Sequence, residues 1–283
     1  MSTTHTTVKL AGMAADLYGT PDHRPPLVLL PGLTFDRRIW QPALSDLARV
    51  DPDRQVLVLD LPGHGDSPDQ PPYSTRRIVG LIHDAVTEAA LDAPVLVGHS
   101  MFGGVASLYA TLHPARGVVN IDNPPDLGSF AQLIQFAAAK LRGSGFAEVW
   151  TMLEHSMRPD LLPAAAQQLV AATCHPTQEL VVGYFEEVLT TPPPELDSMV
   201  EDAMRRIGAA KLPYLLIAGH ELPPDVLDRI SRTVPQARVE VWANTGHFPH
   251  LAHPQRFAER LADTGGWDVK PDTRSEAWAQ PTL

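Results

Sequence analysis

The chain has 283 residues, 44% of them hydrophobic, enough for one large domain with a substantial core. Its formal net charge of −11 argues against nucleic acid or an anionic membrane as partner, since both would repel it, and leaves a small-molecule substrate open. Cys174 is its one cysteine, so an intramolecular disulfide is excluded; with no charged-then-apolar leader and no apolar run of about 18 residues, the expectation is a cytoplasmic protein whose lone cysteine is a small core residue.

In chain order, residues 6–18 suit an antiparallel hairpin at a sheet edge. Short apolar runs follow at 27–30, 56–59, 95–97, 118–121, 215–218 and 239–242. They are rich in Val, Leu and Ile and do not alternate, as in strands buried on both faces. Amphipathic helical segments at 75–90, 101–113, 225–234 and 254–261 lie between or after them. This rhythm predicts an α/β fold with a mainly parallel sheet flanked by helices. It breaks between Ile121 and Leu215, where helical segments punctuated by Pro and Gly replace strands. That interval reads as a helical cap over the carboxyl edge of the sheet, the edge at which open α/β sheets bind ligands. The expected division is a core of residues 1–124 and 211–262, a cap of 125–210 and a C-terminal extension of 263–283. Cap side chains including Phe130, Leu133, Phe136, Trp150, Met152 and Tyr184 suit either an apolar substrate or cap-to-sheet packing.

The most telling segment is Gly98-His99-Ser100-Met101-Phe102-Gly103-Gly104, an apolar run that turns at a serine into a helical pattern. This is the pattern of a nucleophile elbow, in which a strained strand-to-helix turn presents a serine hydroxyl above the sheet. The usual Gly-x-Ser-x-Gly has a glycine where Phe102 stands. Either Gly103 takes over that role, or Phe102 is accommodated and shapes the pocket floor. Serine needs a base within hydrogen-bond reach. Of twelve histidines, His247 is placed best, in the glycine-marked loop Ala243-Asn244-Thr245-Gly246-His247 after the last strand. His250 and His253 are secondary candidates at the start of the next helix, and His99 is expected to pack beneath the serine. An oxyanion needs convergent N–H donors. Met101 supplies one, and the Pro31-Gly32-Leu33-Thr34 loop the other, from Leu33 or alternatively Thr34. The loop Asp60-Leu61-Pro62-Gly63-His64-Gly65-Asp66-Ser67 lacks phosphate-loop spacing and reads as structural.

Taken together, Pro31-Gly32, the Asp60–Ser67 loop, Gly98-His99-Ser100 and Gly246-His247 resemble the alpha/beta-hydrolase fold family over residues 20–262. Two departures are Pro31, where a histidine is common, and Phe102 at the elbow. The resemblance implies a Ser–acid–His triad in that chain order, with Ser100 and His247 at its ends. It also implies two places for the acid. One follows the strand at 214–218, where Leu222 occupies the usual position and Glu221 and Asp225 flank it; the other is Asp122, directly after the preceding strand. Asp122 is favoured, because Pro223-Pro224 stiffens the alternative loop. The implied activity is cofactor-free and metal-free serine hydrolysis of a carboxylic ester or lactone. A serine rather than an aspartate at the elbow sets the chain apart from dehalogenase and epoxide-hydrolase chemistry. Carbon–carbon bond hydrolysis, acyl transfer, perhydrolysis and ligand binding with little turnover remain alternatives, and the oligomeric state is left open.

Overall fold

The computed structural model describes residues 5–263, so the C-terminal extension from 264 onward lies outside the described residues. The chain opens with β1 (His5–Leu10) and β2 (Met13–Tyr18). Ala11 and Gly12 connect them with φ of 48° and 80°, both positive as a two-residue hairpin turn requires. The remaining strands are β3 (Leu27–Leu30), β4 (Val56–Leu59), β5 (Val95–His99), β6 (Gly117–Ile121), β7 (Tyr214–Ala218) and β8 (Arg238–Val241). They form one eight-stranded sheet in the order β1-β2-β4-β3-β5-β6-β7-β8. The hairpin pairs antiparallel with β4, and every pairing from β4 to β8 is parallel. The sheet is therefore the mainly parallel one the apolar runs predict.

Alternation within each strand divides the core into two layers. Leu27, Leu29, Val56, Val58, Val95 and Val97 face one side, which α1 (Gln41–Val50) and α12 (Pro254–Ala262) cover. Val28, Leu30, Leu57, Leu59 and Leu96 face the other, under α2 (Thr75–Glu88) and α3 (Met101–Leu112). Each fully buried aliphatic side chain contributes about 1.5–3 kcal/mol. Helix α1 is not among the segments that the apolar periodicity singles out; it buries Ala43, Leu44 and Leu47 on one stripe and packs against α12.

Between β6 and β7 come α4 (Leu127–Phe136), α5 (Ala138–Leu141), α6 (Phe146–Ser156), α7 (Ala164–Thr173), α8 (Gln178–Thr190) and α9 (Pro193–Ala209). No strand interrupts them. Helix α9 packs against α4 at one end of this interval, and also against α3 and α10 (Pro224–Thr233), which belong to the layer flanking the sheet. It thus serves the insertion and the crossover to β7 at once. A short helix α11 (Pro249–Ala252) precedes α12. Among the described residues, no helix is long and apolar enough to cross a membrane.

The Asp60–Ser67 loop is a structural lock. Asp60 is fully buried and accepts from the Arg37 and Asp66 backbone N–H groups at 2.6 and 2.9 Å. The Arg37 guanidinium bridges Asp60, Asp16 and Asp66, joining the loops after β3 and β4 to the edge hairpin.

Candidate active site

Ser100 is the single residue between β5 and α3, with φ 57° and ψ −138°. That backbone is unfavourable for a side-chain-bearing residue by about 1–3 kcal/mol and persists only where surrounding bonds impose it. Here the Ser100 N–H donates to Ile121 O at 2.8 Å, and Ser100 O accepts from the Gly103 N–H at 2.7 Å. The tight turn leaves no room for side chains at two positions. A methyl group at Gly98 would strike the Phe102 carbonyl, and one at Gly103 would strike the Asn120 carboxamide. Asn120 cannot retreat, because its Nδ2 donates to Asn123 O at 2.7 Å and to Tyr214 Oη at 2.8 Å. Gly103 therefore carries the close approach usually met one residue earlier. Phe102 is fully buried, with its ring edge-on to His64 and to Tyr184 of α8.

His247 lies in the loop after β8, behind Gly246 at φ 56°. A side chain at Gly246 would meet the Met157 and Arg158 carbonyls at 2.6 and 2.7 Å, so only glycine brings this loop against the end of α6. The His247 N–H donates to Met157 O at 2.8 Å, and its Nδ1 lies 2.6 Å from Asp122 Oδ2. Asp122 terminates β6 with φ 53°; its N–H donates to Ile217 O, and its Oδ1 accepts the Gly219 N–H at 2.8 Å. Burial pushes the Asp122 carboxyl up, but the His247 bond and charge and the Gly219 amide outweigh it and hold the carboxyl below its ordinary range. An ionised carboxylate only accepts, so in neutral His247 the proton sits on Nδ1 and Nε2 keeps its lone pair.

Of the carboxylates considered for this place, the structure brings Asp122 to His247. Glu221 is exposed on the loop after β7, and Asp225 is exposed in the first turn of α10. His253 stands at the exposed N-cap position of α12, whereas His250 is fully buried beneath the site against Trp40. Sequence reasoning missed His220, whose Nδ1 lies 3.8 Å from Asp122 Oδ1. Its signal is its place directly after the strand-end Gly219.

Met101 begins α3, so its N–H has no intrahelical acceptor and stands at the positive end of the helix. The loop after β3 turns at Gly32, with the Phe35 N–H donating to Gly32 O at 3.0 Å and Thr34 at φ 73°. Leu33 and Thr34 are both buried in it. The α7–α8 junction pins this loop. His175 N–H donates to Thr34 O at 2.8 Å, Asp36 N–H to Thr173 O at 3.0 Å, and Cys174 Sγ lies 3.3 Å from Thr34 Oγ1. Burial pushes the half-buried Cys174 thiol up to about 11, which keeps it protonated and unreactive at neutral pH.

Comparison with known proteins fits this geometry. Residues 27–260 match the family model described as alpha/beta hydrolase family. The chain belongs to the alpha/beta hydrolase family. Among curated members of that family, it is 26% identical over 279 residues to the sn-1-specific diacylglycerol lipase ABHD11 of Xenopus laevis, covering 92% of this chain and 85% of the relative. It is 30% identical over 254 residues to the pimeloyl-(acyl-carrier protein) methyl ester esterase of Xanthomonas oryzae, covering 84% and 94%. The solved enol-lactonase of Burkholderia xenovorans LB400 shares the fold, with a TM-score of 0.68 at 19% identity over 92% of this chain and all of that one.

The inserted helices of this alpha/beta hydrolase do not use all their apolar side chains as the sequence suggests. Leu133, Phe136 and Met152 are exposed rather than turned toward a pocket or the core, with Phe136 at 93%. The reason is helical phase: α4 buries Gly128, Ala131 and Ile134 on its inner stripe, which puts Leu133 and Phe136 outside it. Trp150, Leu153, Tyr184 and Phe185 are buried.

Proposed function

We propose that this member of the alpha/beta hydrolase family is a cofactor-independent serine hydrolase that cleaves a carboxylic ester or lactone of a moderately apolar small molecule. Ser100 is the nucleophile, His247 the general base and Asp122 the group that orients His247. The observation that carries this reading is the 2.6 Å contact between His247 Nδ1 and Asp122 Oδ2, at the sheet edge where the strained Ser100 turn lies.

Attack forms a bond from Ser100 Oγ to the carbonyl carbon, while the Oγ proton passes to His247 Nε2. The carbonyl π electrons move to oxygen, where the Met101 and Leu33 N–H groups stabilise the charge. Collapse expels the alcohol oxygen, which takes the proton from His247. Water then repeats the sequence on the acyl-enzyme and releases the acid. In a lactone both products stay in one molecule. Residues 125–210 act as the cap over a core of residues 1–124 and 211–262, and the buried Tyr184 and Phe185 of α8, with Phe102 edge-on to Tyr184, support an apolar acyl or alcohol group. The ester-cleaving names of the lipase and methyl ester esterase relatives support the ester class.

The test is covalent labelling with a fluorophosphonate, read beside hydrolysis of p-nitrophenyl esters of graded length and a lactone panel. The wild type should label, Ser100→Ala should not, and His247→Ala should label far more slowly. Loss of either residue should cut turnover by roughly four to six orders of magnitude, as for groups that act as a unit. Labelling that persists in Ser100→Ala removes Ser100 from the mechanism.

A further inference from the structure

One fully buried imidazole has no role in the scheme above. His99, between Gly98 and Ser100, is 0% exposed, and its Nε2 lies 2.8 Å from the carbonyl oxygen of His247, 148 residues along the chain. A carbonyl only accepts, so His99 Nε2 carries the proton and donates it. The opposite nitrogen, Nδ1, is buried without a hydrogen-bond partner among the described residues and faces Gly32, where a methyl group would come within 2.7 Å of it. The same ring is 4.8 Å from the His247 ring and 4.6 Å from that of His250. A side chain adjoining the nucleophile therefore touches the oxyanion loop on one edge and holds the backbone of the base on the other.

The geometry points to His99 as a positioning residue, whose Nε2–H fixes the His247 main chain relative to the Ser100 elbow. This rests on the proposed role of His247 as base. Among the described residues, the main chain at His247 has two ties from outside its own turn: Met157 O on its N–H and His99 on its carbonyl. The first comes from the inserted helices. The second comes from β5, the strand that leads directly into Ser100, so it measures the main chain of the base against the nucleophile. Burial and the neighbouring histidines keep His99 well below the ordinary histidine range, and a neutral imidazole has one donor, spent here on His247. Gly32 belongs to the same device, since any side chain there would push the ring off the carbonyl.

The experiment compares His99→Phe, His99→Gln and His99→Asn in the full chain. Melting temperature, kcat and KM for p-nitrophenyl butyrate, and fluorophosphonate labelling rate are measured for each. Phe fills the space without a donor. The amide of Gln reaches the place of Nε2, whereas that of Asn stops near Nδ1. Misplacing a reacting group by about 1 Å costs on the order of 100-fold. His99→Phe should therefore lose roughly 10- to 100-fold in kcat and in labelling rate, with KM changed less than about threefold. His99→Gln should recover most of that loss, and His99→Asn should not. Wild-type rates in a folded His99→Phe overturn the proposal. If His99→Phe does not fold, equal rates in the Gln and Asn variants overturn it. Absence of Ser100-dependent labelling in the wild type would instead remove the nucleophile assignment, and this proposal with it.

Discussion

His247 Nδ1 and Asp122 Oδ2 lie 2.6 Å apart although 125 residues separate them in the chain. The contact depends on two neighbouring glycines. Gly219, after β7, gives its N–H to the other carboxylate oxygen, and Gly246 lets the histidine loop close over the first. These two glycines also press on each other, because a methyl at Gly219 would collide with the Gly246 carbonyl. Asp122 thus reaches across β7 to the loop after β8, and the backbone of both loops is shaped around its carboxylate.

The first prediction follows from that arrangement. Asp122→Asn keeps the shape but removes the charge, and its amide can present a donor where Nδ1–H needs an acceptor. Turnover should fall by about three to four orders of magnitude, as such swaps do in other triads. Glu221→Gln, on an exposed loop position, should cost less than about tenfold. Steady-state kinetics on one activated ester decides it, and the reverse ranking would transfer the acid role to Glu221.

The second prediction concerns the unusual elbow. Gly103 is hemmed in by Asn120, whose amide is already committed to Asn123 and Tyr214, so Gly103→Leu should abolish soluble protein or activity. Phe102→Gly opens a cavity between His64 and Tyr184 instead. It should cost on the order of 3–5 kcal/mol of stability, as for loss of a buried phenyl group, yet retain Ser100 labelling. Chemical denaturation and labelling together check both variants. A Phe102→Gly protein that is folded but cannot be labelled would give Phe102 a part in the chemistry.

How far the sequence spoke for the fold follows from burial. Strands buried on both faces must be apolar throughout, so 27–30 and 56–59 stand out without alternation. Helix α1 does not stand out because its buried stripe, Ala43, Leu44 and Leu47, is short, and Ala48 and Val50 fall outside it and blur the period. The strained Ser100 turn and the His247 loop were legible from local features, small residues around the serine and the glycine before the histidine. For the partner of His247 the sequence favoured Asp122 over Glu221 only through the stiff Pro223-Pro224 loop, since both carboxylates follow strand ends; the tertiary approach of the β6 and β8 loops is what brings Asp122 to the imidazole. His99 was readable as a buried neighbour of the serine but not as a donor, because its acceptor lies in a loop that the sequence cannot bring near.

The last prediction concerns acid stability. His64, His99 and His250 are buried and held neutral; burial lowers His64 to about 4, His250 to about 3, and His99 well below 6.5. His250 shows the cause plainly, since neither ring nitrogen has a hydrogen-bond partner among the described residues and the ring packs against Trp40. In the unfolded chain all three take a proton as the pH falls below about 6.5. The unfolded state then binds more protons than the folded one, so folding stability declines as the pH drops through 6.5. The decline continues until His64 protonates in place near 4 and His250 near 3. Each histidine contributes a slope of up to about 1.4 kcal/mol per pH unit in that window, or about 4 kcal/mol per pH unit for the three together. Their stabilisation is present in full above pH 6.5. His250→Phe should remove about a third of the slope, because phenyl fills the same apolar site beside Trp40 and does not titrate. Melting temperatures of wild type and variant at pH 7.5, 6 and 5 should therefore diverge in favour of the variant as the pH falls. Parallel curves would mean that His250 finds a proton-accepting partner in the folded protein, and that the acid sensitivity arises from other groups.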